Sequence, residues 1–438
     1  MTETRPVRDN IAGSKNPDVP GDGWQLRYWS IFVGQALSLI GSALTQFVLM
    51  WWITDTTGSV SALATAGLAA LLPQALLSPL GGTFADRYSR RLLMISADLV
   101  SAFCMIVLII LFLTDRIELW HVYTMLFIRS AMQAFQTPAA TASAAMLVPQ
   151  SFLSRAAGLN QTLQAIMSIA AAPLGALAMS VMPIGLALGI DVLTAVLGIV
   201  PLLIFSIPQH RTPADQRSNL WNEFRDGLRV VGQSSGLRHL FGLQAAVVLV
   251  IMPSATLVPL LVKEHFGGGA PQVAVMEALW GVGMLLGGVV VAVLAPRRYV
   301  RWILWGFAVS CFTFAVSSMM PASLFWLALV WWTLSGTTFV MGNAPLMALL
   351  QTTVPNQLQG RVVSLMNATM GLAAPVGLAL ATPLGELIGI RWLFVLTGIA
   401  GGIVSLAGFV STPLRRMDTA DIDLQAKDGA LGSGRHDL

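Results

Sequence analysis

The sequence is poor in charge. Asp, Glu, Lys and Arg make up 11% of its 438 residues, where a water-soluble globule carries about a quarter. It has two cysteines, Cys104 and Cys311. Both fall inside apolar runs, where lone thiols are small packing residues, so neither a disulfide framework nor redox chemistry is expected. The five histidines, His121, His210, His239, His265 and His436, sit in loops, tails or span ends. They show no metal-ligand spacing and no nucleophile dyad, so a metal site, a cofactor and an enzyme's active site are not expected. Lys15, Lys263 and Lys427 are the only lysines. None follows the Gly-rich spacing of a phosphate loop, which excludes an ATP-driven pump.

What the chain has in abundance is apolar length. Hydrophobic residues reach 55% and the mean hydropathy is +0.73. A bilayer core takes roughly 20 apolar residues per helix, and twelve runs between residues 28 and 412 qualify, bounded by charge, Pro or Gly. The expected fold class is therefore an all-α integral membrane protein with twelve transmembrane helices. Residues 1–27 are polar, rich in Pro and Gly, and lack the apolar core of a signal peptide. Residues 413–438 have the same character, and both segments are expected to be tails outside the folded unit.

Basic residues set the orientation. With the N-terminus inside, only Arg116, Lys263 and Arg391 of the 25 Lys and Arg fall in outer loops, and Arg129 lies within a span. That asymmetry places both termini in the cytoplasm. The formal charge of +4 is then a topology signal and implies no nucleic-acid partner.

Residues 208–239 are the one long interior polar segment, a linker between six spans (28–207) and six more (240–412). "VPQSFLSR" from Val148 matches "VPNQLQGR" from Val354, "AAPLGALA" from Ala171 matches "AAPVGLAL" from Ala373, and "RYSR" from Arg87 matches "RYVR" from Arg298. The matches come in order at a spacing of about 205 residues, which reads as two parallel, pseudo-symmetric copies. Parallel six-helix halves that rock about a substrate held at the midplane are a transporter design.

The stretch "GTFADRYSRR" from Gly82 to Arg91 resembles G-x-x-x-D-R-x-G-R-R, the signature between spans 2 and 3 of the major facilitator superfamily, with Ser89 in place of the usual Gly. With "MWWITDTTGS" from Met50, "SADL" from Ser96 and "VPNQLQGRV" from Val354, spans 1 to 12 resemble that family's bacterial macrolide-efflux and siderophore-export branch. The resemblance implies the major facilitator fold, with spans 1, 4, 7 and 10 around the central cavity. It also implies that Asp86 meets the start of span 11, near Arg361. Asp86, Arg87, Arg90, Arg91 and Arg361 are accordingly read as a cytoplasmic gate. There a carboxylate at a helix N-terminus, worth about 0.3 to 2 kcal/mol, ties the halves together and favours the outward-open state.

Ionisable groups inside a bilayer are costly and are functional candidates by default. Arg129, Gln133 and Gln136 share one face of span 4 by their i, i+4, i+7 spacing, and the resemblance links the span 4 arginine to proton coupling. Asp191 in span 6 lies at a similar depth and is its expected partner, with Asp55 at the outer end of span 1 as a reserve proton site. Asp98 is expected to serve the basic loop. Glu277 and Glu386 are expected on the outer rim.

The cavity candidates are Gln35, Gln46, Trp51 and Trp52 on span 1, Gln133 and Gln136 on span 4, Met252 on span 7, and Trp331, Trp332 and Asn343 on span 10. Such a wall of aromatics, Met and neutral amides suits bulky, partly apolar molecules better than sugars or phosphates. Gly283 and Gly287 in span 8 have small-residue packing spacing. The function expected is a proton-coupled exporter of amphipathic small molecules, such as macrolide-like drugs or siderophore-like metabolites, working by alternating access as a monomer in a bacterial inner membrane. Its partners are substrate, protons and membrane lipid. The alternative is a proton-coupled importer or symporter of a small solute on the same fold.

Overall fold

The computed structural model describes residues 23–207 and 231–417, together with Arg225, Leu228 and Arg229. Most of the expected N-terminal tail, most of the 208–239 linker and nearly all of the C-terminal tail lie outside the described residues. Every regular element among those residues is helical, as lipid requires of backbone that must satisfy its own polar groups.

The first half comprises α1 (Trp24–Thr57), α2 (Val60–Arg87), α3 (Arg90–Leu113), α4 (Leu119–Leu147), α5 (Leu153–Val181) and α6 (Ile184–Ile204). The second comprises α7 (Ser235–Thr256), α8 (Val258–Glu264), α9 (Ala270–Leu294), α10 (Tyr299–Met319), α11 (Phe325–Thr353), α12 (Asn356–Ile388) and α13 (Ile390–Ala407). The seventh span is thus broken into α7 and short α8, with Pro253 just before the break and Pro259 at the start of the new helix. A proline cannot donate to the helical ladder, so two of them favour the break.

Local chemistry sets several boundaries. α1 stops at Gly58, whose φ of 58° is left-handed and open to Gly at no steric cost. α2 starts on Ser59, whose hydroxyl accepts from the Ala62 N–H. In the Gly82 to Arg91 stretch, Ser89 takes the N-cap of α3 and accepts from the Leu92 N–H at 3.4 Å. A hydroxyl there satisfies one orphan donor of the new helix, which gives Ser89 a role that Gly lacks.

Eleven of the helices are long and apolar enough to cross a membrane by length and composition, and α4 is not among them. α4 has the length, 29 residues, but carries Arg129, Gln133 and Gln136. These polar side chains lower its hydropathy below that of its neighbours.

The duplication is visible in the packing. In the first half α1 packs on α5 and α6, α2 on α4, and α3 on α4 and α6. In the second α7 packs on α12 and α13, α9 on α11, and α10 on α11 and α13. The pattern is the same, helix for helix, with α8 as an addition. The halves meet chiefly through α2 with α12 and α5 with α9.

Alternating helix direction gives the bundle a basic end, carrying Arg27, Arg87, Arg90, Arg91, Arg155, Arg298 and Arg361, and a far end, carrying Asp55, Glu118 and Lys263. The apolar core differs between them. At the far end one cluster spans both halves, joining residues such as Phe47, Leu63 and Ala176 to Leu260, Met276 and Leu378. At the basic end each half keeps its own cluster, one around Tyr28, Met94 and Leu202, the other around Phe241, Phe307 and Met366. The two halves are welded by apolar burial at the far end, while at the basic end each core is self-contained. Burial at about 25 cal/mol per Å² makes the shared cluster the main energetic link between halves.

Candidate functional site

Three helices of the first half bring charge together in the membrane interior. Arg129 on α4 sets Nη1 at 3.4 Å from Asp191 Oδ2 on α6, and both side chains are only 6% exposed. Ser42 on α1 donates to Asp191 Oδ1 at 3.2 Å. Gly41 makes this approach possible: a Cβ there would lie 1.9 Å from Thr194 Oγ1 and 3.0 Å from Asp191 Cα. The pair expected from the depths of the two residues is present in the structure.

A second polar group lies on the same face of α4, toward the basic end. Gln136 Nε2 donates to Asp98 Oδ1 at 2.6 Å, and Gln35 Nε2 donates to Asp98 Oδ2 at 3.4 Å. Gln35 also reaches the Gly198 carbonyl of α6 at 3.4 Å. Asp98 is 5% exposed. It therefore serves this buried cluster of α1, α3, α4 and α6 rather than the basic loop expected from the sequence. The cost of a mid-span acid was the signal that it belonged with Arg129 and Asp191. Gln133, between the two groups on α4, is half-buried.

These charges belong to one half only. The repeat that pairs Arg155 with Arg361 also pairs Arg129 with Ser335 and Asp191 with Thr397. Ser335 is buried and bonds to the Ser310 carbonyl at 2.7 Å, and Thr397 meets Ser254 at 2.8 Å. The second copy thus fills the same positions with neutral hydroxyls.

The cavity candidates divide by environment. Gln46, Trp51, Met252, Trp331 and Asn343 are half-buried. Trp52 sets its ring against Phe112 of α3 at 5.2 Å, within its own half. Trp332 is 3% exposed and lies in an aromatic cluster, 5.6 Å from Trp280 and 5.0 Å from Phe314.

At the basic end the arginines of the gate stretch grip the ends of helices in their own half. Arg90 donates to the Ala85 carbonyl at 3.1 Å and the Ala142 carbonyl at 3.2 Å, and pairs with Asp86 at 3.3 Å. Arg91 donates to the carbonyls of Leu202 and Leu203 in the last turn of α6. Arg87 stands in the last turn of α2. Cations at helix C-termini are favourable, by about 0.3 to 1 kcal/mol each at exposed sites. Asp86 is exposed, and Arg361 lies near the start of α12.

At the far end an ion pair bridges the halves. Lys263 on α8 lies 3.2 Å from Asp55 Oδ1 and donates to the carbonyls of Thr54 and Asp55 at 3.1 and 2.6 Å. Asp55 is thus an exposed partner of Lys263, beside the C-terminal end of α1. Glu386 is exposed, as a rim residue would be, whereas Glu277 is not. Lys263→Gln is expected to loosen this end. Reagent applied to the far end should label a cysteine introduced at Gln46 a few-fold faster, since a term of about 1 kcal/mol shifts a two-state equilibrium roughly fivefold. Unchanged labelling would show that the apolar cluster alone holds the far end shut.

The sequence profile described as the Major Facilitator Superfamily matches residues 31–377 and 240–428. Macrolide efflux protein A of Streptococcus pyogenes is 31% identical over 399 residues, covering 91% of this chain and 98% of that protein. Macrolide efflux protein A of Enterococcus faecalis is 32% identical over 313 residues, covering 71% of this chain and 97% of that one. Among solved structures, a bacterial homolog of the human lysosomal transporter Spinster, in an inward-facing and unoccupied conformation, superposes with a TM-score of 0.69 at 16% identity. It covers 93% of this chain and 99% of its own, a likeness of fold.

Proposed function

The chain belongs to the Major Facilitator Superfamily and is a multi-pass membrane transporter rather than an enzyme; from that premise we propose that it exports amphipathic small molecules, macrolide-like or siderophore-like, in exchange for protons. The observation that carries this reading is the buried Arg129–Asp191 pair, set beside the Asp98–Gln136 pair in one half only. The similarity to macrolide efflux proteins supports the export direction and the substrate class. The excess of bases supports a cytoplasmic basic end, with both termini inside a bacterial inner membrane.

In this scheme the geometry corresponds to a transporter open to the cytoplasm. Substrate enters between the separate cores of the basic end and meets the half-buried amides of Gln46 and Gln133. Rocking exchanges the shared core of the far end for contacts at the basic end, where Asp86 comes to the start of α12 near Arg361. A carboxylate next to a cation stays ionised, and one stripped of water tends to take up a proton. Asp191 is held by Arg129 and Ser42. When Arg129 turns away from it, Asp191 accepts a proton at the outside-facing stage. Return of Arg129 to its 3.4 Å position displaces that proton toward the cytoplasm.

The test is proton movement in inverted vesicles under an imposed pH gradient, with macrolides, siderophores, dyes and sugars added singly. Dissipation triggered by an amphipathic compound is the expected result. Silence across the panel, together with uptake of a polar nutrient by whole cells, would replace export by import on the same fold.

A further inference from the structure

One intramembrane acid has no role in the pairs above. Glu277 is the eighth residue of α9, two turns in from its far-end start. It is half-buried, and its carboxylate takes no hydrogen bond and no ion pair among the described residues. From the sequence alone it is expected on a solvated rim. The structure surrounds it with the shared far-end core, where Val273, Ala274 and Met276 are buried.

Helical geometry shows which way it faces. Gly281, one turn on, packs against Ile169 and the Ser168 carbonyl of α5 in the other half. Trp280, three residues on, packs its ring on Trp332 and Phe339 of α11, at 5.6 and 5.9 Å. The lipid-facing residues Val275, Leu286, Val289 and Val293 are exposed and lie on the opposite side of the helix from Glu277, by the 3.6-residue period. Glu277 therefore stands between the α5 and α11 stripes, facing the space between the halves.

Among the described residues, nothing packed against α9 neutralises it. α11 has no charged residue along its length, and α5 has only Arg155, at its basic-end start. α8 brings Lys263, which is engaged with Asp55, and Glu264, which carries the same sign. An ionised carboxylate without a counter-charge is strongly disfavoured in such surroundings. Such a carboxylate is neutralised by a proton or by a cation that comes from outside the protein.

We propose that Glu277, with the Trp280 indole on the adjoining face of α9, is the receptor for a positively charged amine on an amphipathic substrate. The carboxylate supplies charge, the Trp280 face supplies cation–π attraction, and the apolar far-end core around them suits the apolar body. This inference rests on the exporter reading of the same cavity and narrows it to cationic amphiphiles, with neutral compounds bound by the apolar wall alone.

The test uses the full chain in nanodiscs and two probes of similar bulk, the permanent cation tetraphenylphosphonium and the neutral triphenylphosphine oxide. Wild type is expected to bind the cation more tightly than the neutral probe. Glu277→Gln should weaken the cation by about tenfold or more, as loss of one member of a desolvated charge pair does, and leave the neutral probe unchanged. Glu277→Asp should retain the preference for the cation. Melting should separate this from a structural role, because removing an unpaired charge from the interior should leave the apo protein at least as stable. Equal affinity of wild type for the two probes, or tetraphenylphosphonium binding that survives Glu277→Gln, would overturn the proposal. Proton movement by wild-type vesicles, run in parallel, reports on the exporter reading separately: with flux intact and no charge preference, only the amine receptor falls.

Discussion

Arg129→Ala is expected to abolish substrate-triggered proton movement in inverted vesicles. The guanidinium is the counter-charge of Asp191, at 3.4 Å and almost fully buried. Removing one partner of such a pair leaves an uncompensated charge and costs about 3 to 5 kcal/mol, so the single variant should also melt earlier. The double variant Arg129→Ala with Asp191→Asn separates folding from coupling. With both charges gone, much of the stability should return, while proton movement stays absent. Substrate-triggered proton movement in the double variant would remove the pair from the coupling path. Arg129→Lys keeps the charge but loses the planar fork that places two donors together. It should fold and couple weakly.

Gly287→Ala is the second large effect, and it acts on assembly. A Cβ on Gly287 would lie 2.2 Å from the Thr337 carbonyl oxygen, and one on Gly283 would lie 2.3 Å from that of Thr333. Both obstacles are backbone of α11, which cannot step aside as a flexible side chain does. Helix α9 must move away from α11, opening the contact that seats Trp280 on Trp332. Overpacking of this kind costs typically 1 to 3 kcal/mol and occasionally more. The neighbouring Gly288 has nothing within 4 Å, so Gly288→Ala is the matched control and should melt like wild type. A fall in melting temperature and monodisperse yield for Gly287→Ala alone is the expected outcome. Equal behaviour of the two variants would mean that α9 and α11 are not held at this distance by the glycines.

The two predictions differ in how far the sequence could foresee them. Arg129 and Asp191 were legible because an ionisable residue in an apolar run is costly enough to demand a partner at the same depth. The spacing of Gly283 and Gly287 was legible as close packing, but the partner helix was not, since small residues announce proximity without saying to what. Asp98 and Glu277 went the other way. Each was read from its distance to a helix end, and each turned out to depend on the rotation of its helix, which puts Asp98 against Gln35 and Gln136 and Glu277 toward the other half. The gate stretch is a mixed case. Its bases were legible as a topology signal, but the carbonyls of Ala142, Leu202 and Leu203 that hold Arg90 and Arg91 became neighbours only when α4 and α6 ended beside α3.

The sequence alone therefore determined the helices and their duplication, because apolar run length and repeat spacing are properties of the chain read along one dimension. Tertiary structure alone decided which polar groups pair, which acid stays alone, and that the halves share a core at one end and divide it at the other. Those outcomes depend on helix rotation and on which carbonyls and carboxylates come within about 3 Å, where electrostatic and packing energies are steepest.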